Sequence, residues 1–246
     1  MITPYQDSLL KFFRRLKWLG QSVKVVYGGP DKAHGQMLQY YRKVTASKTG
    51  KRVEEIKLEF DEASVPRPFI SVQLSYAGYD GDRFSTHVHR GIAVDIEKGT
   101  ALSVASARPE NFTVQADMWC GDDWQCANML TGQLKSMFIA DDLALFVRFS
   151  DPRYYQPPYD MPEHCRFMGD ITCRMTDEGI TDNSQITGSP GTPKEIRKTF
   201  SGTLYGWLPR VPFEVRIAKQ LRYTMEDDST VPPVVMDTSA IDFVVE

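Results

Sequence analysis

Apolar residues recur at spacings of three and four in three parts of the chain, which is typical of helices that bury one face. The pattern predicts a helix over residues 6–19 that stops at Gly20, a second helix that Asp31 caps, and a third within residues 122–138. The apolar positions are Leu9, Phe12, Phe13, Leu16 and Leu19, then Ala33, Met37, Tyr40, Tyr41 and Val44, then Ala127, Leu130, Leu134, Met137 and Phe138.

Strict alternation of apolar and polar residues predicts strands on both sides of the third helix. Residues 111–119 (NFTVQADMW) and 143–149 (LALFVRF) alternate, so residues 111–149 are predicted to fold as β-α-β. Further strands are predicted in SVKVVYG, VEEIKLEF, FISVQLSY, HVHRGIAVDI and TALSVAS, and within residues 164–181 and 196–208. The predicted fold is α+β: a mainly antiparallel or mixed sheet packed by two N-terminal helices and one internal helix, with long loops.

Two segments interrupt these patterns and are predicted to be loops. Residues 150–163 are rich in proline and tyrosine, and residues 181–195 are rich in Gly, Pro, Ser and Thr. Residues 1–225 are interpreted as one domain, and residues 226–246 as an acidic C-terminal extension or arm.

Composition narrows the class of protein. The formal net charge of −3 and the pI of about 5.9 argue against a dedicated nucleic-acid binder, which would be clearly basic. No window approaches the roughly 18 apolar residues that a membrane span needs, and the first residues do not resemble a signal peptide. We therefore expect the chain to be made in a cytoplasm, where Cys120, Cys126, Cys165 and Cys173 would remain thiols.

The stretch DMWCGDDWQC, residues 117–126, is the first candidate for chemistry. Its two cysteines have five residues between them, whereas zinc sites usually use pairs separated by two to four and redox pairs use two. An aspartate at a helix start caps free backbone N–H groups. The residues therefore favour a joint between a strand and a helix, with contact between these cysteines and Cys165 or Cys173 left open.

The remaining candidates for a metal site or an enzyme are weaker. His87 and His89 would point to the same face of a strand, which suits two metal ligands, but two imidazoles alone do not make a site. No P-loop, G-x-S-x-G or H-E-x-x-H motif occurs. The sequence thus predicts no enzyme activity, no catalytic residue, no cofactor and no metal; a metal-binding protein or enzyme using Cys120 and Cys126 or His87 and His89 is the minor alternative.

Interaction surfaces are the stronger expectation. The first helix carries basic side chains beside aromatic ones; a solvated amphipathic face is the first interpretation, and a surface that meets an acidic protein face or nucleic acid is the alternative. Residues 239–245 (SAIDFVV) could add as a strand to the sheet edge of a neighbour. The candidate interface residues are Lys11, Arg14, Arg15, Lys17, Trp18, Tyr154, Tyr155, Tyr159, Ile241 and Phe243.

Several stretches taken in order resemble one protein family. They are VKVVYGGPDKAHGQM, PRPFISVQLSYAGYDGDR and FTVQADMWCGDDWQCANMLTGQLKSMF, followed by EGITDNSQI and KTFSGTLYGWLP. This order is similar to the tail terminator, or proximal tail sheath stabilisation, proteins of contractile-tailed bacteriophages. The resemblance covers roughly residues 23–209; the Tyr/Pro-rich segment, the cysteines and the acidic extension depart from it.

The resemblance implies a structural protein of the virion, assembled in the host cytoplasm. It implies a homo-hexameric ring that caps the tail tube and sheath, joins the tail to the neck, and lets DNA pass through its lumen without specific binding. It also implies that EGITDNS and KTF…GWLP form a hairpin in the sheet. A neck, collar or baseplate component with the same core is the alternative position.

Overall fold

The computed structural model describes residues 3–53, 65–80, 83, 89–95, 98, 100–105, 107–184, 195–211 and 213–216. The α-helices of these residues are α1 (Thr3–Phe13), α2 (Ala33–Thr49) and α3 (Trp124–Ser136). The strands are β1 (Lys17–Trp18), β2 (Gln21–Ser22), β3 (Lys24–Tyr27), β4 (Phe69–Tyr79), β5 (His89–Asp95), β6 (Thr100–Ala105), β7 (Arg108–Trp119), β8 (Asp142–Arg148), β9 (Asp170–Thr176), β10 (Gly179–Asp182), β11 (Arg197–Leu208) and β12 (Phe213–Arg216).

A seven-stranded mixed sheet organises the fold. Its strand order is β3-β4-β7-β11-β9-β8, with β10 also paired to β11. The β3–β4 pair is parallel and every other pair of this sheet is antiparallel. A smaller sheet has the order β12-β6-β5, and β1 and β2 form a short hairpin. The predicted α+β class with a mixed sheet is therefore confirmed.

The main core lies between one face of this sheet and helices α1 and α3. Each central strand directs every second side chain into it, as the alternation in β7 predicts. The glycines of β11 make room for the large rings, because a Cβ on Gly206 would lie 2.6 Å from Cε2 of Phe112. The central members of this core are Tyr5, Leu9, Phe13, Ile70, Val72, Phe112, Val114, Met118, Leu130, Leu134, Val147, Cys173, Phe200 and Leu204.

Helix α2 packs on the opposite face of the sheet, over its β3–β4–β7 end. Its Ala33 and Met37 join Phe69 and Trp119 in a second cluster, where the two aromatic rings stack with centroids 5.7 Å apart. The rest of this second face has no helix from the described residues over it. That asymmetry leaves a broad strand surface exposed.

Two predictions about the N-terminal helices need correction. Helix α1 ends at Phe13 rather than continuing to 19, because the chain turns back there to form the β1–β2 hairpin. Leu16 is still buried, but Leu19 lies at the hairpin turn with φ 49° and is 78% exposed. Asp31 does not cap α2; Lys32 occupies that position and makes no capping bond through its side chain.

The β-α-β prediction over residues 111–149 is confirmed by β7, α3 and β8. The segment 150–163 is a loop with one 3₁₀ turn at Pro152–Tyr155, as expected for its prolines. Residues 164–181 hold a 3₁₀ turn, Glu163–Met168, and then two strands rather than one. Residues 54–64, 185–194 and 217–246 lie outside the described residues, and with them the predictions for VEEIKLEF, the long polar loop and the extension 226–246.

Candidate interaction surface

The uncovered face of the seven-stranded sheet is the most distinctive surface of the described residues. Its side chains alternate with the core residues along five strands and carry hydroxyl, amide, aromatic and guanidinium groups. We call this surface the open face; it consists of Gln73, Ser75, Thr113, Gln115, Ala144, Phe146, Arg148, Thr172, Arg174, Ser201, Thr203 and Tyr205, all exposed or partly exposed. An antiparallel sheet commonly has one face packed on the core and one in water, so exposure alone does not mark a contact surface. The aromatic and guanidinium groups on this face make it a candidate contact surface.

Arginine and tyrosine dominate one end of the open face. The Tyr205 ring lies between two guanidinium groups, with the Arg83 Cζ 5.4 Å and the Arg174 Cζ 5.3 Å from its centroid. Arg83 donates to Asp80 at 2.7 Å and to the Glu110 carbonyl at 2.9 Å, and Arg174 donates to Asp142 at 2.8 Å. Stacked and hydrogen-bonded guanidinium groups keep a fixed orientation, and arginine and tyrosine are enriched at protein interfaces.

A buried carboxylate lies at the other, covered end of this face. Asp117 is 2% exposed and accepts hydrogen bonds from Thr199 Oγ1 at 2.6 Å and from Gln115 Nε2 at 3.0 Å. The Arg197 Nε atom lies 3.9 Å from the same carboxylate, and the Arg197 guanidinium stacks over Trp119. Satisfied in this way, the carboxylate locks β7 to β11 rather than offering a free acid or base.

The stretch 117–126 is a structural joint. Strand β7 ends at Trp119 and α3 begins at Trp124, with Asp123 as the N-cap whose side chain accepts from the Cys126 N–H at 2.9 Å. The sequence prediction of a capped strand-to-helix joint is confirmed.

A polar clamp ties this joint to the start of β11 and to the entry of β4. Glu195 accepts from the Gly121 N–H at 2.9 Å and from Arg67 Nη2 at 2.8 Å. The same Arg67 nitrogen lies 2.8 Å from His34 Nε2 on α2, and the His34 ring packs edge-on against Trp119. The charged groups of this clamp contact one another and the backbone of the joint, so we assign the clamp a role in stabilising the fold.

The four cysteines are buried free thiols, as predicted for a reducing compartment. The hydrogen bond with Cys126, followed by burial, raises the pKa of Cys120 far above its usual range. Burial raises the pKa of Cys173 to about 11 and also raises the pKa of Cys165. These three thiols therefore stay protonated at neutral pH in this fold.

No group of three or more His, Cys, Asp or Glu side chains suited to a metal ion occurs within the part of the chain that the structure describes. His87 lies outside the described residues, and His89 is the first residue of β5. No helix among the described residues is long and apolar enough to cross a membrane.

The predicted basic patch lies on the surface. Lys11, Arg14, Arg15 and Lys17 are exposed at the end of α1 and in the segment that follows it. Trp18 is only partly exposed and packs against the main core. The backbone of Lys17 exchanges two hydrogen bonds of 2.9 Å with the Gln133 side chain of α3, which fixes the patch against the domain.

The three candidate tyrosines separate into two kinds. Tyr154 and Tyr155 are 1% and 9% exposed, so the prediction that they present an interface is wrong for these two. The Tyr154 hydroxyl donates to Asp7 at 3.1 Å and the Tyr155 hydroxyl donates to the Phe149 carbonyl, which holds both rings inside the domain. Tyr159 is 49% exposed, and Ile241 and Phe243 lie outside the described residues.

Sequence reasoning did not single out the open face. The sequence signal for it lay in the polar residues that alternate with apolar ones along the strands, above all Thr113 and Gln115 in β7. Alternation alone predicts only that such residues face away from the core; whether a second layer covers them depends on topology.

No protein-family model matches the chain, and no curated protein matches it in sequence. The functional assignment therefore depends on the residues and their arrangement.

Proposed function

We propose that this chain is a structural protein of a contractile-tailed phage virion: a tail terminator whose ring caps the tail tube and sheath and joins the tail to the neck. The main support for the proposal is the position in the fold of the stretches that resemble the family. They form β3, β4, β7 and β11, which are consecutive neighbours in the sheet, together with α3 and with β10 paired to β11. Segments far apart in sequence thus form one continuous structural unit.

The hairpin that the resemblance implies supports the proposal. Strand β10 pairs antiparallel with β11 from Gly179–Ser201 to Asp182–Lys198. The Lys198 ammonium lies 2.6 Å from the Asp182 carboxylate across this pair. This is the pairing that the resemblance implies, and it supports the proposal.

The surfaces suit ring assembly. A closed ring needs two different contact surfaces on each copy, because each copy meets its neighbours head to tail. The open face and the basic patch of Lys11, Arg14, Arg15 and Lys17 are two such surfaces of different chemistry. We expect them to contact neighbouring copies and the tube, sheath or neck proteins, while DNA passes through the lumen of a ring whose subunits are mildly acidic.

Native mass measured together with negative-stain images tests the ring. Six-copy rings are expected, and tail tubes assembled with the gold-labelled chain should carry the label at one end, because a cap on the growing end stops addition. Label along the whole tube, or at the baseplate end, would contradict the terminator position. A stoichiometric metal in a monomer would contradict the structural role itself.

A further inference from the structure

Strand β8 forms an outer edge of the main sheet, and among the described residues it pairs with β9 alone. The Asp142 N–H and carbonyl both bond to Ile139, on the side away from β9. Backbone groups alternate in direction along an antiparallel strand. Ala144, Phe146 and Arg148 therefore also direct their N–H and C=O groups outward, to where a further strand would lie.

The middle of this edge lacks the devices that usually protect a strand edge, and charge occurs only at its two ends, Asp142 and Arg148. Protection comes from proline, charge, bulges or very short strands. From Leu143 to Val147 the strand has no proline and no charged residue, and its register with β9 is continuous over seven residues. By contrast, the edge strand β3 has four residues, and β5 carries a register shift between Gly91 and Ala93.

The side chains of β8 define what an added strand needs. Leu145 and Val147 face the core, so an incoming strand should place apolar residues on that side. On the open face, Phe146 is 51% exposed and the Arg148 guanidinium lies 5.7 Å from its ring centroid. Asp170 is the register partner of Arg148 on β9, but no ion pair joins them within the described part of the chain, so a carboxylate on the outer side of Arg148 would be favourable.

We propose that residues 239–245 of a second copy add as a strand to the outer edge of β8. In SAIDFVV, residues Ile241, Phe243 and Val245 alternate with Ala240, Asp242 and Val244, and Asp242 supplies the carboxylate for Arg148. Thirty residues follow Arg216, which at about 3.3 Å each span up to about 100 Å when extended and can reach a neighbour. The assignment of the neighbour as another copy rests on the proposed ring.

Cysteine cross-linking between full-length chains tests the pairing. One copy carries Phe146→Cys, and a differently tagged copy carries one added cysteine at position 240, 241, 243 or 244. Mild oxidation should give mixed dimers at position 244 if the added strand is antiparallel or at position 240 if it is parallel, because that residue lies opposite residue 146 when Asp242 lies beside Arg148. Positions 241 and 243 are matched controls and should give none, because they face the core side.

Charge reversal provides a second test. Arg148→Glu should lower the yield of mixed dimers by up to about five-fold, the upper end of the range for one cross-strand charge pair, and adding Asp242→Arg should restore it. Lys43→Glu, an exposed change on α2, should have no effect.

Cross-links that form only within one chain, at every position, or at none would overturn the proposal. Rings without the position-specific cross-links would reject this pairing and leave the proposed function standing. Position-specific cross-links without rings or tail binding would support the pairing and reject the tail terminator.

Discussion

The two faces of the same strands differ sharply in what they do. In β7, Phe112, Val114 and Met118 are 0% exposed, whereas Thr113 between them is exposed and Gln115 partly exposed. One face supplies the hydrophobic stability of the domain, and the other supplies chemistry that contributes little to folding. Because the two residue sets alternate, mutations can change one face and leave the other nearly intact.

This separation has a functional consequence. A surface that contributes little to folding can carry side chains chosen for a partner, and the Arg83–Tyr205–Arg174 row shows such side chains already held in place. The core face cannot vary in this way, because β11 uses Gly202 and Gly206 to fit the rings of Phe200 and Phe112.

The largest effect is expected on the core face. Phe112→Ala should lower the free energy of unfolding by about 3–5 kcal/mol, because it removes a buried ring that packs 5.0 Å from Tyr5 and leaves a cavity. Thr113→Ala, the adjacent open-face change, should alter it by about 0.5 kcal/mol or less. Urea unfolding of both variants measures the difference, and equal losses would contradict the division between the two faces.

Asp117 is an exception to this division, since its side chain belongs to the face opposite the main core yet is buried. Asp117→Ala should cost about 3 kcal/mol, because Thr199 Oγ1 and Gln115 Nε2 lose their acceptor and Arg197 loses its nearby charge. Asp117→Asn is the matched control, since its amide oxygen can still accept, and it should cost less. A negligible loss in the alanine variant would show that this polar network is dispensable.

Much of the fold could be predicted because periodicity is a local signal. The alternation in β7 and the helical spacing in α3 gave the element types, and the aspartate before α3 gave its cap. The predicted end of α1 is wrong because Leu16 and Leu19 keep the helical spacing beyond the true end of the helix. The turn at Leu19–Gly20 and the β1–β2 pairing determine the structure there instead.

The candidate interaction surface was harder to predict from the sequence than the fold. Tyr154 and Tyr155 lie in a proline-rich loop that suggests exposure, but contacts with Asp7 and Phe149 bury them. Conversely, the polar residues of the open face become a surface only because α1 and α3 pack on one side of the sheet and α2 covers only part of the other. Such long-range packing has no local sequence signature.

Alkaline pH should lower the stability of the domain through a buried thiol on the core face. Burial raises the pKa of Cys173 from 9.0 to about 11, so the folded state holds this proton more tightly than the unfolded chain does. Stability is therefore fully present below pH 9 and falls as the pH rises towards 11. At 1.36 kcal/mol per unit the full loss is about 3 kcal/mol, measured by urea midpoints across this range.

Cys173→Ala is the variant that isolates this effect. It should lower stability at every pH by lost packing and make the decline between pH 9 and 11 shallower, while Cys120 and Cys165, whose pKa values are also raised, keep the rest of the decline. Tyr5, whose pKa burial also raises, hydrogen-bonds this thiol and would leave a residual slope at higher pH. An unchanged decline in the variant would assign the alkaline effect to another group.

The smallest change in stability is expected for a substitution on the open face that should strongly weaken ring assembly. Thr113 pairs with Thr203 on β11 and with Ser75 on β4, at the middle of the open face. Thr113→Arg should change the free energy of unfolding by about 0.5 kcal/mol or less, yet weaken ring formation because it puts bulk and charge into the contact. Asn128→Arg, at an exposed position of α3, is the matched control. If both variants form rings with the native mass, the open face serves no copy-to-copy contact, and its Arg–Tyr row then belongs to the surface that meets the tube, sheath or neck.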